Sequence, residues 1–262
     1  MKLYVPCRAC IDAPVRPVSV INPVVANEDG VYQLLCREGH TSTAFVNAHK
    51  YEVLFDAGAN AFLDGYHREA ITSFAASLER YYEYYVRVMM RKRGIPDAEF
   101  KKLWKPVARQ SERQLGLYMG VYCLETGKAP VILSEEMVSL RNDATHKGRL
   151  PKREEVEAFA QAVMDIIKTL NAELEDSAAT ARQAVDFALQ AERRKKAPQG
   201  PDVTFVPFSI LKVTRVDGPE PPFVERLHEL ELHRQYRQER VRAADVFATF
   251  RQDDFPGLPG EG

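Results

Sequence analysis

Apolar positions recur at helical spacing over most of the chain. From about residue 46, Tyr51, Leu54, Phe55, Ala59, Phe62 and Leu63 share one face and predict a first helix. After Asp64-Gly65, Ala70, Phe74, Leu78, Tyr81, Tyr85 and Val88 advance in steps of three and four residues and predict a second, which Gly94-Ile95-Pro96-Asp97 ends. Asp97 is placed to N-cap a third, carrying Phe100, Leu103, Trp104, Val107, Leu115, Tyr118, Met119 and Tyr122. Pro106 lies inside that run and should kink or split it, and Gly127 and Pro130 stop it. Ser134-Glu135-Glu136 opens a short fourth helix through Leu140 to about His146. The fifth carries Val156, Phe159, Ala160, Val163, Ile166, Ile167 and Leu170 and runs on to about Leu189. Helices with such short joints make a bundle, here over residues 46–195.

The two ends follow other patterns. Residues 1–45 read as β-rich: Val15, Val18, Val20, Val24 and Val25 precede a turn at Asn27-Glu28-Asp29-Gly30, and Val31 to Leu35 follow it. Beyond the bundle, Arg193-Arg194-Lys195-Lys196 leads into Pro198, Gly200 and Pro201, a linker composition. Val203 to Val213 alternates as a strand or two would, Phe223 to Phe247 predicts one more helix, and Asp253 to Gly262 reads as a loose tail. The expected fold is therefore mainly α. A four- or five-helix bundle is flanked by a small β-rich segment (1–45) and a small mixed C-terminal extension (196–262).

The β-rich segment also carries a ligand pattern. Cys7-Arg8-Ala9-Cys10 lies near one end and Cys36-Arg37-Glu38-Gly39-His40 at the other, two paired-ligand turns separated by a hairpin. Cys7, Cys10, Cys36 and His40 form a closed tetrahedral set of the zinc-ribbon kind, with Gly39 letting the second turn close tightly. A segment this short has little apolar material, so a structural zinc would largely replace a core. The other reading is a hairpin with incidental thiols. Four cysteines in 262 residues are too few and too uneven for a secreted disulfide scaffold.

Composition narrows the partners. With 45% hydrophobic and 28% charged residues the chain is of ordinary globular type, and no stretch approaches a membrane span. Met1 to Cys10 lacks a signal-peptide core, so a cytoplasmic location without membrane attachment is expected. Basic and acidic residues nearly cancel, 36 against 37, so any nucleic-acid binding must use local patches.

One short constellation combines charge with proton transfer: Arg141-Asn142-Asp143-Ala144-Thr145-His146, closed by Gly148. The arginine fork pairs with phosphate oxygens and stays charged, and the imidazole takes or gives a proton near neutrality. On a helix, Arg141 and His146 are about 140° apart, whereas Asn142 and His146 share a face. One copy does not aim Arg and His at a single atom, but two copies across a twofold axis can. The bland alternative is an arginine ion pair and a histidine that caps the last carbonyls. Arg87, Arg91 and Lys92, with Arg93, form a basic helix end, and Lys147 follows the motif. These are candidate RNA contacts, although such charges are ordinary at a helix C-terminus. Tyr81, Tyr82, Tyr84 and Tyr85 could stack bases, but helical spacing puts about half of them in the core.

The helical region resembles the HEPN superfamily of four- and five-helix bundles. Leu140-Arg141-Asn142-Asp143-Ala144-Thr145-His146-Lys147-Gly148 is similar to its Arg-(polar)-x-x-x-His signature. Asp64-Gly65-Tyr66-His67-Arg68-Glu69-Ala70, followed by Ser73 to Glu79, looks like its helix with an Ala-rich face, and a long apolar helix follows the motif. The resemblance covers roughly residues 46 to 190. It implies a metal-independent endoribonuclease with a site composed across a homodimer. Arg141, Asn142 and His146 would be catalytic, no cofactor would serve the cut, and RNA would be the substrate. Such proteins serve in defence against phage, in toxin–antitoxin pairs and in RNA turnover, so a microbial defence or stress role is expected here, with an antitoxin or other defence component as a candidate protein partner. Other members are catalytically silent adaptors that bind a protein or nucleic acid, and this reading stays open.

Overall fold

Alternation in the first 46 residues becomes two small sheets. In a computed structural model, which describes residues 1–13, 21–197, 202–205, 207, 209–212 and 221–249, β1 (Lys2–Pro6) leads into a short helix α1 (Arg8–Asp12). β1 pairs antiparallel with β2 (Ile21–Val25), Leu3 opposite Val24 and Val5 opposite Asn22. Leu3 and Val5 are buried while Lys2 faces water, the period-two pattern of a sheet with one covered face. The turn at 27–30 forms as its residues predict: the Asn27 side chain accepts from the Gly30 N–H at 2.8 Å, and Gly30 takes a φ of 65°. β3 (Val31–Leu35) then pairs antiparallel with β4 (Thr41–Val46), burying Tyr32 and Leu34. Val15, Val18 and Val20 lie outside the described residues.

The chain divides into two compact units. One comprises residues 1–47, 196–207 and 228–262; the other comprises 48–195 and 208–227. The residues after 195 thus contribute to both. In the first unit, β5 (Asp202–Phe205) adds to the other edge of β4 in parallel, placing Phe205 beside Val46. Its Phe205 carbonyl accepts the Asn47 N–H at 2.8 Å, and the Phe205 ring meets Tyr32 edge-on. The long helix α8 (Phe223–Thr249) begins in the second unit and continues in the first, where Arg237 lies over the Tyr4 ring at 5.2 Å. The tail expected at 253–262 lies outside the described residues.

The second unit is built mainly of helices: α2 (Lys50–Leu63), α3 (His67–Lys92), α4 (Asp97–Val107), α5 (Ser111–Thr126), α6 (Glu135–His146) and α7 (Arg153–Lys195). The mainly-α expectation holds. α3 is the central element, packed by α2, α7, α5, α6 and α4. That explains why Tyr81, Tyr82, Tyr84 and Tyr85 are all buried, leaving none to stack on a base. Tyr81 and Tyr84 spend their hydroxyls on Asn171 (3.0 Å) and Asp186 (2.9 Å) of α7.

Local signals end the helices with two differences from expectation. Pro106 falls in the last turn of α4, and the predicted third helix is split at residues 108–110. Asp97 is the first helical residue rather than the cap. Pro96 holds the cap position with extended backbone, and the Asp97 carboxylate pairs with Arg87 at 2.7 Å and Lys101 at 3.1 Å. α7 runs further than expected, to Lys195, and breaks at Ala178, whose φ of -144° is not helical.

α2 and α3 pack closely at Gly58. A methyl group there would lie 2.7 Å and 2.8 Å from Cε1 and Cδ1 of Phe74, a side chain fixed between Phe55 and Phe223. Gly58→Ala is expected to cost about 1–3 kcal/mol as overpacking, of which about 1 kcal/mol returns through helix propensity. A lower urea midpoint with unchanged slope checks this.

A segment distant in sequence completes the second unit. Ile210, Leu211, Phe223 and Leu227 are buried. The Ile210 N–H donates at 3.0 Å to the buried Asp56 carboxyl of α2, which burial pushes up to about 8 against the pull of that hydrogen bond.

Candidate functional site

Two constellations carry chemistry, one in each unit. In the first unit, Cys7 follows β1 at the N-cap of α1, Cys10 sits on α1, and Cys36 follows β3. The turn that returns His40 is closed by two backbone bonds: Cys36 N–H to the His40 carbonyl, and Gly39 N–H to the Cys36 carbonyl, both 3.0 Å. Gly39 has a φ of 78°, which a side chain would resist. The three sulfurs and His40 Nδ1 all lie within 4.8 Å of one another. Cys10 Sγ is 3.7 Å from Cys36 Sγ. His40 Nδ1 is 3.4 Å from Cys10, 3.5 Å from Cys36 and 3.9 Å from Cys7. A tetrahedral ion with bonds of about 2.3 Å to sulfur and about 2.0 Å to nitrogen needs S–S edges of about 3.8 Å and S–N edges of about 3.5 Å. The donor set fits a metal ion.

The cysteines are buried and His40 is exposed. Burial, with the neighbouring Cys7 and Cys36 sulfurs, pushes the Cys10 thiol up to about 12. Burial acts on Cys36 too, but the backbone N–H groups of His40 and Glu38 outweigh it and hold that thiol below its ordinary range. A cation among the sulfurs would allow all of them to be thiolates.

The second constellation lies at the C-terminal end of α6. The helix starts where its sequence says, with Ser134 Oγ accepting from the Met137 N–H at 3.3 Å. Leu140 and Ala144, four apart, are buried and fix which face meets α3. Arg141, Asn142 and Asp143 are half-buried, and His146 is exposed. Arg141 faces Glu79 of α3 at 4.0 Å. Burial raises the Glu79 carboxyl, with Arg141 and Arg80 pulling the other way. Arg80 itself is engaged by Glu83 and Gln114. The helix closes on the Asp143 carbonyl, which accepts from the N–H groups of Lys147 (3.0 Å) and Arg149 (3.1 Å) across Gly148, whose φ is 70°.

The candidate RNA contacts fare unevenly. The Arg87 side chain is only 10% exposed, bound to Asp97 at 2.7 Å, and lies over the Phe100 ring. It is a structural cation, because α3 ends against α4 there. Lys92 pairs with Glu125 at 3.1 Å and Lys147 with Asp143 at 2.8 Å. Arg91 is exposed and borders a cleft with Asp176, Thr180 and Ala181 beside the α7 break.

No protein-family model, curated protein or solved structure matches this chain. Its function must therefore be argued from these two sites. Among the described residues no helix is long and apolar enough to cross a membrane. Two side chains at the second site escape sequence reasoning. His67 is half-buried, stacks on Phe62 and contacts the Pro151 carbonyl through Nδ1 at 3.0 Å. Arg68 donates through Nε to the Ala144 carbonyl at 2.9 Å. Both contacts span more than seventy residues, so no local pattern could reveal them.

Proposed function

We propose that the chain is a HEPN-type endoribonuclease acting as a cytoplasmic homodimer, with a structural zinc held by Cys7, Cys10, Cys36 and His40. The observation that supports the reading is the state of the α6 terminus. His146 is exposed and without a partner among the described residues, and Arg141 has only Glu79 facing it, at 4.0 Å. An imidazole and a guanidinium are thus left for a ligand at one end of one helix. With a second copy across a twofold axis, both groups address one phosphodiester.

The reaction is transesterification. His146 removes the proton from a ribose 2′-hydroxyl as that oxygen attacks phosphorus, or supplies one to the departing 5′-oxygen. Arg141 stabilises the extra negative charge on the five-coordinate phosphorus, and Asn142 orients the imidazole or the phosphate. The ends left are a 2′,3′-cyclic phosphate and a 5′-hydroxyl, and no metal takes part in the cut. The setting this suits is defence against phage, a toxin–antitoxin pair or a stress response.

Incubation of purified protein with mixed RNA, with and without chelator, followed by mapping of the ends, tests the reading. Arg141→Ala and His146→Ala are each expected to slow cleavage by about a hundredfold with unchanged circular dichroism. Well-folded variants that cut as fast as the parent would overturn the assignment.

A second reading has its own support. Glu79 faces Arg141, Asp143 pairs with Lys147 and Glu155 pairs with Arg149, so the cations around the motif have acidic neighbours. That arrangement suits a catalytically silent module that binds a protein partner. An inactive parent that still forms a stable complex would favour it.

A further inference from the structure

His146 is the last helical residue of α6, followed by the Lys147–Pro151 turn. A histidine on a fraying terminus would be poorly aimed, because the last carbonyls of a helix lack intrahelical partners and the end opens easily. Here two side chains from the first turn of α3 hold both sides of that turn. Arg68 Nε donates to the Ala144 carbonyl at 2.9 Å, two residues before His146. On the far side, His67 Nδ1 meets the Pro151 carbonyl at 3.0 Å. A carbonyl only accepts, so the His67 proton sits on Nδ1. The His67 ring is backed by Phe62, with centroids 5.4 Å apart, and the Arg153 guanidinium lies over the Phe62 ring at 4.9 Å. Residues 144 to 153 are therefore gripped at Ala144, Pro151 and Arg153 from the α2–α3 corner.

We infer that Arg68, with His67 beside it, is a positioning residue for His146: it fixes the terminus that carries the imidazole by occupying the Ala144 carbonyl. This rests on the ribonuclease reading for its consequence in catalysis, but the grip itself does not. Arg68 touches neither substrate nor imidazole in this arrangement; it acts through the α6 backbone. A modest loosening of that backbone lowers the fraction of bound substrate in reactive alignment without weakening RNA binding.

The test uses the full chain with Arg68→Met, which keeps the length and removes the donors, and Arg68→Lys, which keeps a donor. Amide hydrogen exchange over residues 141–151 is measured without RNA, and kcat and KM with it. Arg68→Met is expected to accelerate exchange at 145–149, to lower kcat about tenfold and to change KM by less than about twofold. Arg68→Lys should recover part of the loss in both readouts. Faster exchange with unchanged kcat would overturn the positioning role, and so would unchanged exchange, since the grip would then hold nothing. A parent that cuts no RNA sinks the ribonuclease reading instead, and exchange in the two variants then decides whether Arg68 holds the terminus.

Discussion

Treatment with a metal chelator, or Cys10→Ser, is expected to unfold the strands of the first unit while the helical signal of residues 50–195 persists. The expectation follows from what fills the interior there. Cys7 and Cys10 are each 1% exposed and Cys36 6%, so the ligand sulfurs occupy positions that apolar side chains would take in a larger domain. Without a cation, burial and the neighbouring sulfurs push the Cys10 thiol up to about 12, so that ligand stays protonated near neutral pH. With a cation, metal–ligand bonds close a loop that joins Cys7 to His40. Apparent binding free energies of structural zinc sites are about 10–16 kcal/mol near neutral pH, more than a segment with so few buried apolar residues gains by packing. The protein should therefore carry one zinc per chain by elemental analysis, and Cys10→Ser should carry none. Amides of β1, β3 and β4 should exchange freely in the variant. Full protection of those strands in metal-free protein would show that the cluster is incidental to folding.

The helices and the cluster were legible in the sequence because their signals are local. Ser134 caps α6 as its residue type predicts, and Gly127 ends α5 with a φ of 70°. The Cys7–Cys10 spacing places both thiols on one turn, and the Cys36-to-His40 turn needs only Gly39 to close. What stayed illegible depends on partners remote in the chain. All four tyrosines of α3 are buried, more than one amphipathic face allows, because α3 is covered on several sides; periodicity counts faces but not neighbours. β5 joins β4 in parallel from more than 150 residues away, a pairing no hairpin rule can supply. Arg87 reads as a phosphate contact by charge alone, and only the α3–α4 packing reveals Asp97 against it. The Arg141–His146 spacing was plain from the start. The side chains set against that motif, Glu79 opposite Arg141 and Arg68 and His67 on the carbonyls of Ala144 and Pro151, come from α3.

Phe223→Ala is expected to be among the most damaging single truncations in the helical unit, although Phe223 lies outside the predicted bundle. Its ring is fully buried among Phe55, Phe74 and Phe62, with centroids 6.0, 5.7 and 6.2 Å away. Two of those contacts are near-perpendicular, the edge-to-face geometry that aromatic quadrupoles favour. The Phe223 N–H also donates to Gln161 Oε1 at 2.7 Å, tying the start of α8 to α7. Truncation leaves a cavity lined by three rings. Their close packing, with Gly58 already pressed against Phe74, gives little room for collapse. The expected loss is about 3–5 kcal/mol, read as a lower urea midpoint, with Phe223→Leu losing less. Leu124→Ala serves as the control: that side chain is 84% exposed, and its truncation should change stability by less than about 0.5 kcal/mol. Amide exchange separates two ways the variant can lose stability. If residues 209–212 and 221–227 alone become unprotected, these pieces strap the bundle and their release leaves it standing. If α2 and α3 lose protection with it, the four rings are one core, and the bundle is incomplete at residue 195. The geometry favours the second outcome, because Phe223 fills the gap between α2 and α3 rather than lying on their surface. An unchanged midpoint in Phe223→Ala would refute both.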